Sequence, residues 1–363
     1  MDSISEPLDP NPAPLTPVDP PPTPFTLSKI FLGPFGLRAV WSLLIYIALF
    51  ACVQIAARTI LRRIHPPTHA ASAAAKPGTA PAKPSAPQPQ SIKPFLIGES
   101  IGFAVLLLLS WLMAVIERRR IGAYGLGGPH FLHRFFHGAF WGLAALSLIV
   151  LLLHTFHLLT FDGMLDHGAG IFGWGAVLLL GFLLVGLLEE YLFRGYLQFT
   201  LTRGLVWLGQ LLSPAHARGI AFWTASILTS ALFLYAHTGN SGEDKFGLIS
   251  VFLAGVVFVV ALWRTGSLWW AIGFHTAWDW SQSFLYGVPD SGLLVQGRMF
   301  ATHTMGNPLL SGGSVGPEGS VFCIPVLLLV IVVLFFTRPA PLPPLETNNL
   351  LVAAPLEEAA ATL

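Results

Sequence analysis

Eight apolar runs, each near the length an α-helix needs to cross a bilayer, dominate this sequence: residues 39–57, 95–116, 135–159, 171–198, 219–237, 246–263, 267–287 and 321–337. A segment in lipid must satisfy its own backbone hydrogen bonds, and only a helix or a closed barrel does so. The runs lack the strand-like alternation of a membrane barrel. The expected fold is therefore all-α, a polytopic transmembrane helical bundle of about eight spans. Composition agrees, because 10% of the 363 residues are charged against about 25% in an ordinary soluble domain. Nineteen basic residues offset eighteen acidic ones. No basic block interleaved with aromatics occurs, so the bilayer and not nucleic acid is the expected partner. Cys52 and Cys323 both lie in apolar runs, which leaves no disulfide framework and no cysteine zinc site.

The runs divide the chain. Residues 1–38 read as a disordered Pro-rich N-terminal tail, 39–57 as the first span and 58–93 as a Pro/Ala-rich linker that cannot bury a core. Residues 94–290 carry the core unit, 291–320 a Gly-rich loop, 321–337 the last span and 338–363 a C-terminal tail. Between the second and third spans stands the basic cluster Glu117-Arg118-Arg119-Arg120, whereas 160–170 contains no Lys or Arg. The positive-inside rule then places both termini in the cytoplasm of an integral protein of the plasma (inner) membrane.

Charges inside spans cost roughly 2.5 to 3.5 kcal/mol each at a helix centre, so they mark function. The densest set is Glu189, Glu190 and Arg194, within the run Leu183–Leu197. Helical spacing puts Glu190 and Arg194 on one face, where they can pair, and turns Glu189 about 100° away without a cation. A desolvated, unpaired carboxylate suits proton transfer; the alternative is that all three are interfacial charges at a helix end. Two later spans add Phe233 one turn before His237, and His275 one turn before Asp279. A histidine alone near a span end is ordinarily a packing or interfacial residue, and His154 and His157 are read that way. Glu99 is read as a lone snorkelling or helix-packing charge.

Taken in order, Glu189-Glu190-x-x-x-Arg194, Phe233-x-x-x-His237 and His275-x-x-x-Asp279 resemble the three-motif pattern of the CAAX-protease and bacteriocin-processing (CPBP) family of intramembrane proteases. That family includes the type II CAAX prenyl endopeptidases and lysostaphin-resistance-like proteins. Phe193-Arg194-Gly195-Tyr196-Leu197 and Gly266-Ser267-Leu268-Trp269-Trp270 are similar to what the family shows around the first motif and before the third. The resemblance covers roughly residues 95 to 290 and implies an intramembrane endopeptidase acting on a membrane-associated protein or peptide, by CAAX-type or bacteriocin-type processing. It further implies that Glu189 with His237 activates a water, that Glu190 and Arg194 form a structural ion pair, and that His275 with Asp279 steadies the oxyanion. Many members carry Asn at the last position, and an ionised Asp cannot donate to an oxyanion. Asp279 is therefore expected to orient His275, with the imidazole as donor.

Glu189, His237 and His275 would also suffice for a zinc site with an open water position. The same residues support metal-free hydrolysis, and no His-Glu-x-x-His motif is present, so the expectation is no metal and no other cofactor, with zinc as the alternative. Two other classes compete: a non-catalytic membrane scaffold or bacteriocin-immunity protein on the same fold, and a proton-coupled transporter. A scaffold needs none of Glu189, His237 and His275, and a transporter should show an internal repeat that this sequence lacks. His237 sits at the far end of its run, so it meets the other two only if that helix is short, tilted or deeply set.

Overall fold

The computed structural model describes residues 28–33, 36–64, 89–127, 129–165, 168–240, 242 and 244–337. The tail before residue 28, most of the 58–93 linker and the 338–363 tail lie outside the described residues. The helices are α1 (Ala39–Ile64), α2 (Ile92–Ile116), α3 (Phe131–Thr155) and α4 (Gly170–Glu190), the last running through a π-helical turn (Tyr191–Leu197) into α5 (Gln198–Leu212). They continue with α6 (Ala217–His237), α7 (Lys245–Thr265), α8 (Trp269–Trp280) and α9 (Cys323–Thr337). Every apolar run read from the sequence is helical over most of its length.

Among the described residues, five helical stretches are long and apolar enough to cross a bilayer: Ile92–Ile116, Phe131–Thr155, Gly170–Leu212, Pro214–His237 and Lys245–Thr265. Ala39–Val53 and Cys323–Phe336 are shorter apolar segments, and α8 has 12 residues. The reason α8 can be short is its position. Residues Trp270 to Asp279 are all buried, so this helix is covered by protein and has no lipid face to match to bilayer thickness. Glycines let its neighbour reach it. A Cβ on Gly138 would collide with the Trp270 carbonyl oxygen, one on Gly142 with that of Phe274, and one on Gly273 with that of Phe135. Small residues spaced by four thus bring the α3 and α8 backbones together, the packing mode that replaces hydrophobic drive between membrane helices.

At one end of the bundle Trp269 Nε1 donates to the Leu126 carbonyl at 2.9 Å, pinning the start of α8 to the turn after α2. Glu117 is buried there between Arg119 and Arg203, each 3.3 Å from one of its oxygens, while Arg203 also donates to Ser42 Oγ at 2.9 Å. That cluster ties α1, α2 and α5 into one unit. At the other end β1 (Leu159–Met164) pairs antiparallel with β2 (Phe300–Thr304), with a register shift between Phe161 and Gly163. The chain between α8 and α9, which carries β2, also closes over a cavity, as its roof, through residues 290–293 and Glu318.

Candidate active site

The site is assembled where α4 passes into its π turn. Such a turn widens the helix by one backbone step and recurs at functional sites; a second one, Ser281–Leu285, follows directly after α8, two residues past Asp279. Glu190, with 0% exposure, accepts from Arg194 Nη1 at 3.1 Å and from His275 Nδ1 at 3.0 Å through the same oxygen. The Arg194 guanidinium lies over Phe233, 4.1 Å from the ring centre, and 5.0 Å from that of Phe258. Those ring faces stabilise a cation that burial has stripped of water. Gly255 on α7 leaves room for it, since a Cβ there would stand 2.9 Å from Arg194 Nη2.

Glu189 turns the other way. Its Oε2 has no hydrogen-bond partner, and the nearest cationic group is His275 Nε2 at 3.7 Å. Asp279 Oδ2 stands 3.5 Å from the same Nε2. His237 Nδ1 donates to the Phe233 carbonyl at 2.8 Å. A carbonyl only accepts, so in the neutral ring Nδ1 carries the hydrogen and Nε2 presents its lone pair. The Phe233 ring, 4.5 Å from that of His237, fixes its orientation.

Glu189, His237, His275 and Asp279 line one cavity of about 350 Å³, a size in the range of ligand sites. Glu190 and Arg194 stand behind its wall. His237 reaches it because α5 carries the chain roughly 22 Å past the π turn before α6 returns antiparallel, so the C-terminal end of α6 comes level with Arg194. Asp279 is the carboxylate expected from the sequence to orient His275, but Glu190 is the one bonded to Nδ1, and Asp279 sits at the opposite nitrogen. The reason is depth: Glu190 shares its level with the middle of α8, as Gly186 does with Thr276. Glu99, read from the sequence as a snorkelling or helix-packing charge with cavity lining as the lesser alternative, lines the cavity. His154 bonds toward the Leu159 carbonyl at 3.2 Å, which fits a packing role.

A zinc ion would need three donors at ligand spacing. Among the described residues no group of three His, Cys, Asp or Glu side chains stands so, and His275 Nδ1 is already bonded to Glu190. Sequence reasoning missed Asp290, Ser291 and Glu318, which complete the lining from the chain between α8 and α9. The only signal was the presence of carboxylates in a Gly-rich stretch, and such a stretch carries no periodicity to place them.

No curated protein and no solved structure matches the chain. One family model does, over residues 171–281, described as type II CAAX prenyl endopeptidase Rce1-like. The matched stretch holds all seven motif residues and stops short of Asp290 and Glu318. Across α4 to α8, where the cavity's acid and imidazole groups originate, this chain is similar to the Rce1-like type II CAAX prenyl endopeptidases, a family of proteases.

Proposed function

We propose that this chain is an intramembrane endopeptidase that hydrolyses a peptide bond of a membrane-associated protein or peptide inside the cavity. The observation that carries this reading is the contrast at Glu189 and Glu190: adjacent carboxylates, one bonded through Oε1 to Arg194 and His275 behind the cavity wall, the other lining the cavity beside two imidazoles. In the proposed reaction a water between Glu189 and His237 gives its proton to Glu189, while the His237 Nε2 lone pair accepts the water's other hydrogen. The hydroxyl adds to the carbonyl carbon. His275, its Nδ1–H held by Glu190, donates to the resulting oxyanion through a protonated Nε2, a form that carboxylates at 3.0, 3.5 and 3.7 Å stabilise. Collapse breaks the carbon–nitrogen bond, and Glu189 returns its proton to the leaving amine.

The test is proteolysis of a membrane peptide library by the purified full chain in detergent, with and without chelator, read by mass spectrometry. The reading expects discrete cleavage that chelator leaves intact. Cleavage that stops with chelator and returns with zinc would replace the glutamate mechanism by a metal one, and no cleavage of any peptide would remove the peptidase.

A further inference from the structure

Behind the cavity wall, α6 carries a row of buried hydroxyls: Ser226, Thr229 and Ser230. Buried hydroxyls are almost always bonded, and the first two are. Gln198 Nε2 donates to Ser226 Oγ at 2.9 Å, and Thr229 Oγ1 donates to Gln198 Oε1 at 2.8 Å. Ser230, 1% exposed, is the exception: its Oγ has no partner among the described residues. A helical serine commonly bonds the carbonyl one turn back. Here that carbonyl, of Ser226, already accepts from Thr229 Oγ1 at 3.2 Å. The Ser230 hydroxyl is thus left for a group outside its own helix.

That group is Arg194. Its guanidinium uses Nη1 on Glu190 at 3.1 Å, while Nε and Nη2 meet no acceptor among the described residues, although the side chain is fully buried. Gly255 on α7 is next to both: a Cβ there would lie 2.9 Å from Arg194 Nη2 and 3.1 Å from Ser230 Oγ. The two polar atoms therefore converge on the side of Gly255 where a side chain would have stood, yet they are not bonded to each other. Buried polar groups that face each other without touching are ordinarily joined by a water, which needs only a small polar space and a few partners. An anion would meet the Glu190 carboxylate across the same guanidinium, and a neutral water does not.

We propose that Arg194 Nη2 and Ser230 Oγ bind one buried water beside Gly255, and that Ser230 is a positioning residue which, through this water, fixes the guanidinium that holds Glu190 and so aims His275. The water accepts the Nη2 hydrogen and bonds the Ser230 hydroxyl. Without it Arg194 is held by one nitrogen and by the faces of Phe233 and Phe258, contacts that let its plane rock about the bond to Glu190. Glu190 meets Arg194 and His275 Nδ1 through the same oxygen, so a movement of the guanidinium reaches the imidazole through one atom. A group that must point at a developing oxyanion loses rate when its support is loose. The effect on turnover rests on the peptidase reading; the water site does not. Ser230 stands outside the cavity lining, as Arg194 and Glu190 do, so its loss should act on kcat and leave KM alone.

Two measurements on the purified full chain in detergent test this. The first is a density map, fine enough to show ordered water, of the wild-type and Ser230→Ala proteins. The wild type should show a solvent peak within hydrogen-bonding distance of Arg194 Nη2 and Ser230 Oγ, and Ser230→Ala should lose both the peak and the single orientation of the guanidinium. The second is hydrolysis of one fluorogenic membrane peptide. Ser230→Ala should lower kcat by about tenfold, the worth of one hydrogen bond to a charged group, at unchanged KM. Ser230→Thr keeps the hydroxyl and should restore most of that loss. A residue that only fills space would give the reverse order, because the added methyl crowds the site more than Ala does. Gly255→Ala fills the space without touching the hydroxyl and should also lower kcat, so that misfolding of one variant does not decide the matter. A wild-type map without the peak, an undisturbed guanidinium and full turnover in Ser230→Ala, or Ser230→Thr slower than Ser230→Ala would overturn the proposal. The expected maps without hydrolysis by any of the proteins would sink the peptidase reading and leave the water site and its hold on Arg194 standing.

Discussion

Two buried clusters of charge sit in one bundle and are built on opposite ratios. Around Glu117 two arginines, Arg119 and Arg203, share one carboxylate, with Tyr124 OH 3.4 Å from it. Around Arg194 one guanidinium serves Glu190, while Glu189 and Asp279 stand near it with only His275 between them. The first cluster fixes helices to one another. In the second, acid exceeds base beside open space, and groups in that condition exchange protons readily instead of locking in one state. Charge in a membrane bundle is therefore not evidence of chemistry by itself; unmatched charge facing a cavity is.

Removing a cation from each cluster separates them most sharply. Arg194→Ala strands Glu190 in the interior and should cost about 3 to 5 kcal/mol of stability, with activity falling as His275 loses its anchor. Arg203→Ala leaves Arg119 on Glu117 and should cost only about 1 to 3 kcal/mol. Thermal melts in detergent check both, and equal losses would erase the distinction between the clusters. Asp279→Asn comes next. The amide can donate where the carboxylate cannot, so turnover should fall by no more than about tenfold, the worth of one weakened polar contact. Abolished turnover would show that the Asp279 charge itself is needed.

The smallest effect concerns the roof. Asp290 faces Glu318, Ser283 and the field of Glu189, and its carboxyl is raised in the folded chain. A raised folded value means that stability from this group is full at acid pH and declines as pH rises through that value. Asp290→Asn should therefore raise the melting temperature more at pH 8 than at pH 5, by a few degrees, the shift that about 1 kcal/mol gives. A larger gain at pH 5 would reverse the sign of the account.

Much of this was legible in the sequence, for reasons of periodicity and length. Apolar runs of bilayer length gave the helices, and a four-residue spacing gave the Glu190–Arg194 pair and the divergence of Glu189. Hydropathy does not distinguish an apolar face against lipid from one against another helix, which is why α8 reads as a span though its residues are covered by α3, α4 and α7. The convergence of His237 depended on how far α5 overshoots before α6 returns, and no local pattern encodes that distance. The sequence assigned His275 to Asp279 and missed Glu190, because spacing along one helix says nothing about a carboxylate arriving from another. Glu318 lay out of reach, in a stretch whose fold is set by glycine contacts and not by periodic side chains.

The central claim is that Glu189 is the base because it is the carboxylate of the pair that lines the cavity and has no arginine bonded to it. The most direct measurement is the rate at which purified wild-type and Glu189→Gln proteins hydrolyse one fluorogenic membrane peptide, with melting curves of both recorded alongside. The account predicts a loss of at least about 10² in rate with an unchanged melt. Near-wild-type turnover by the Glu189→Gln protein would contradict it.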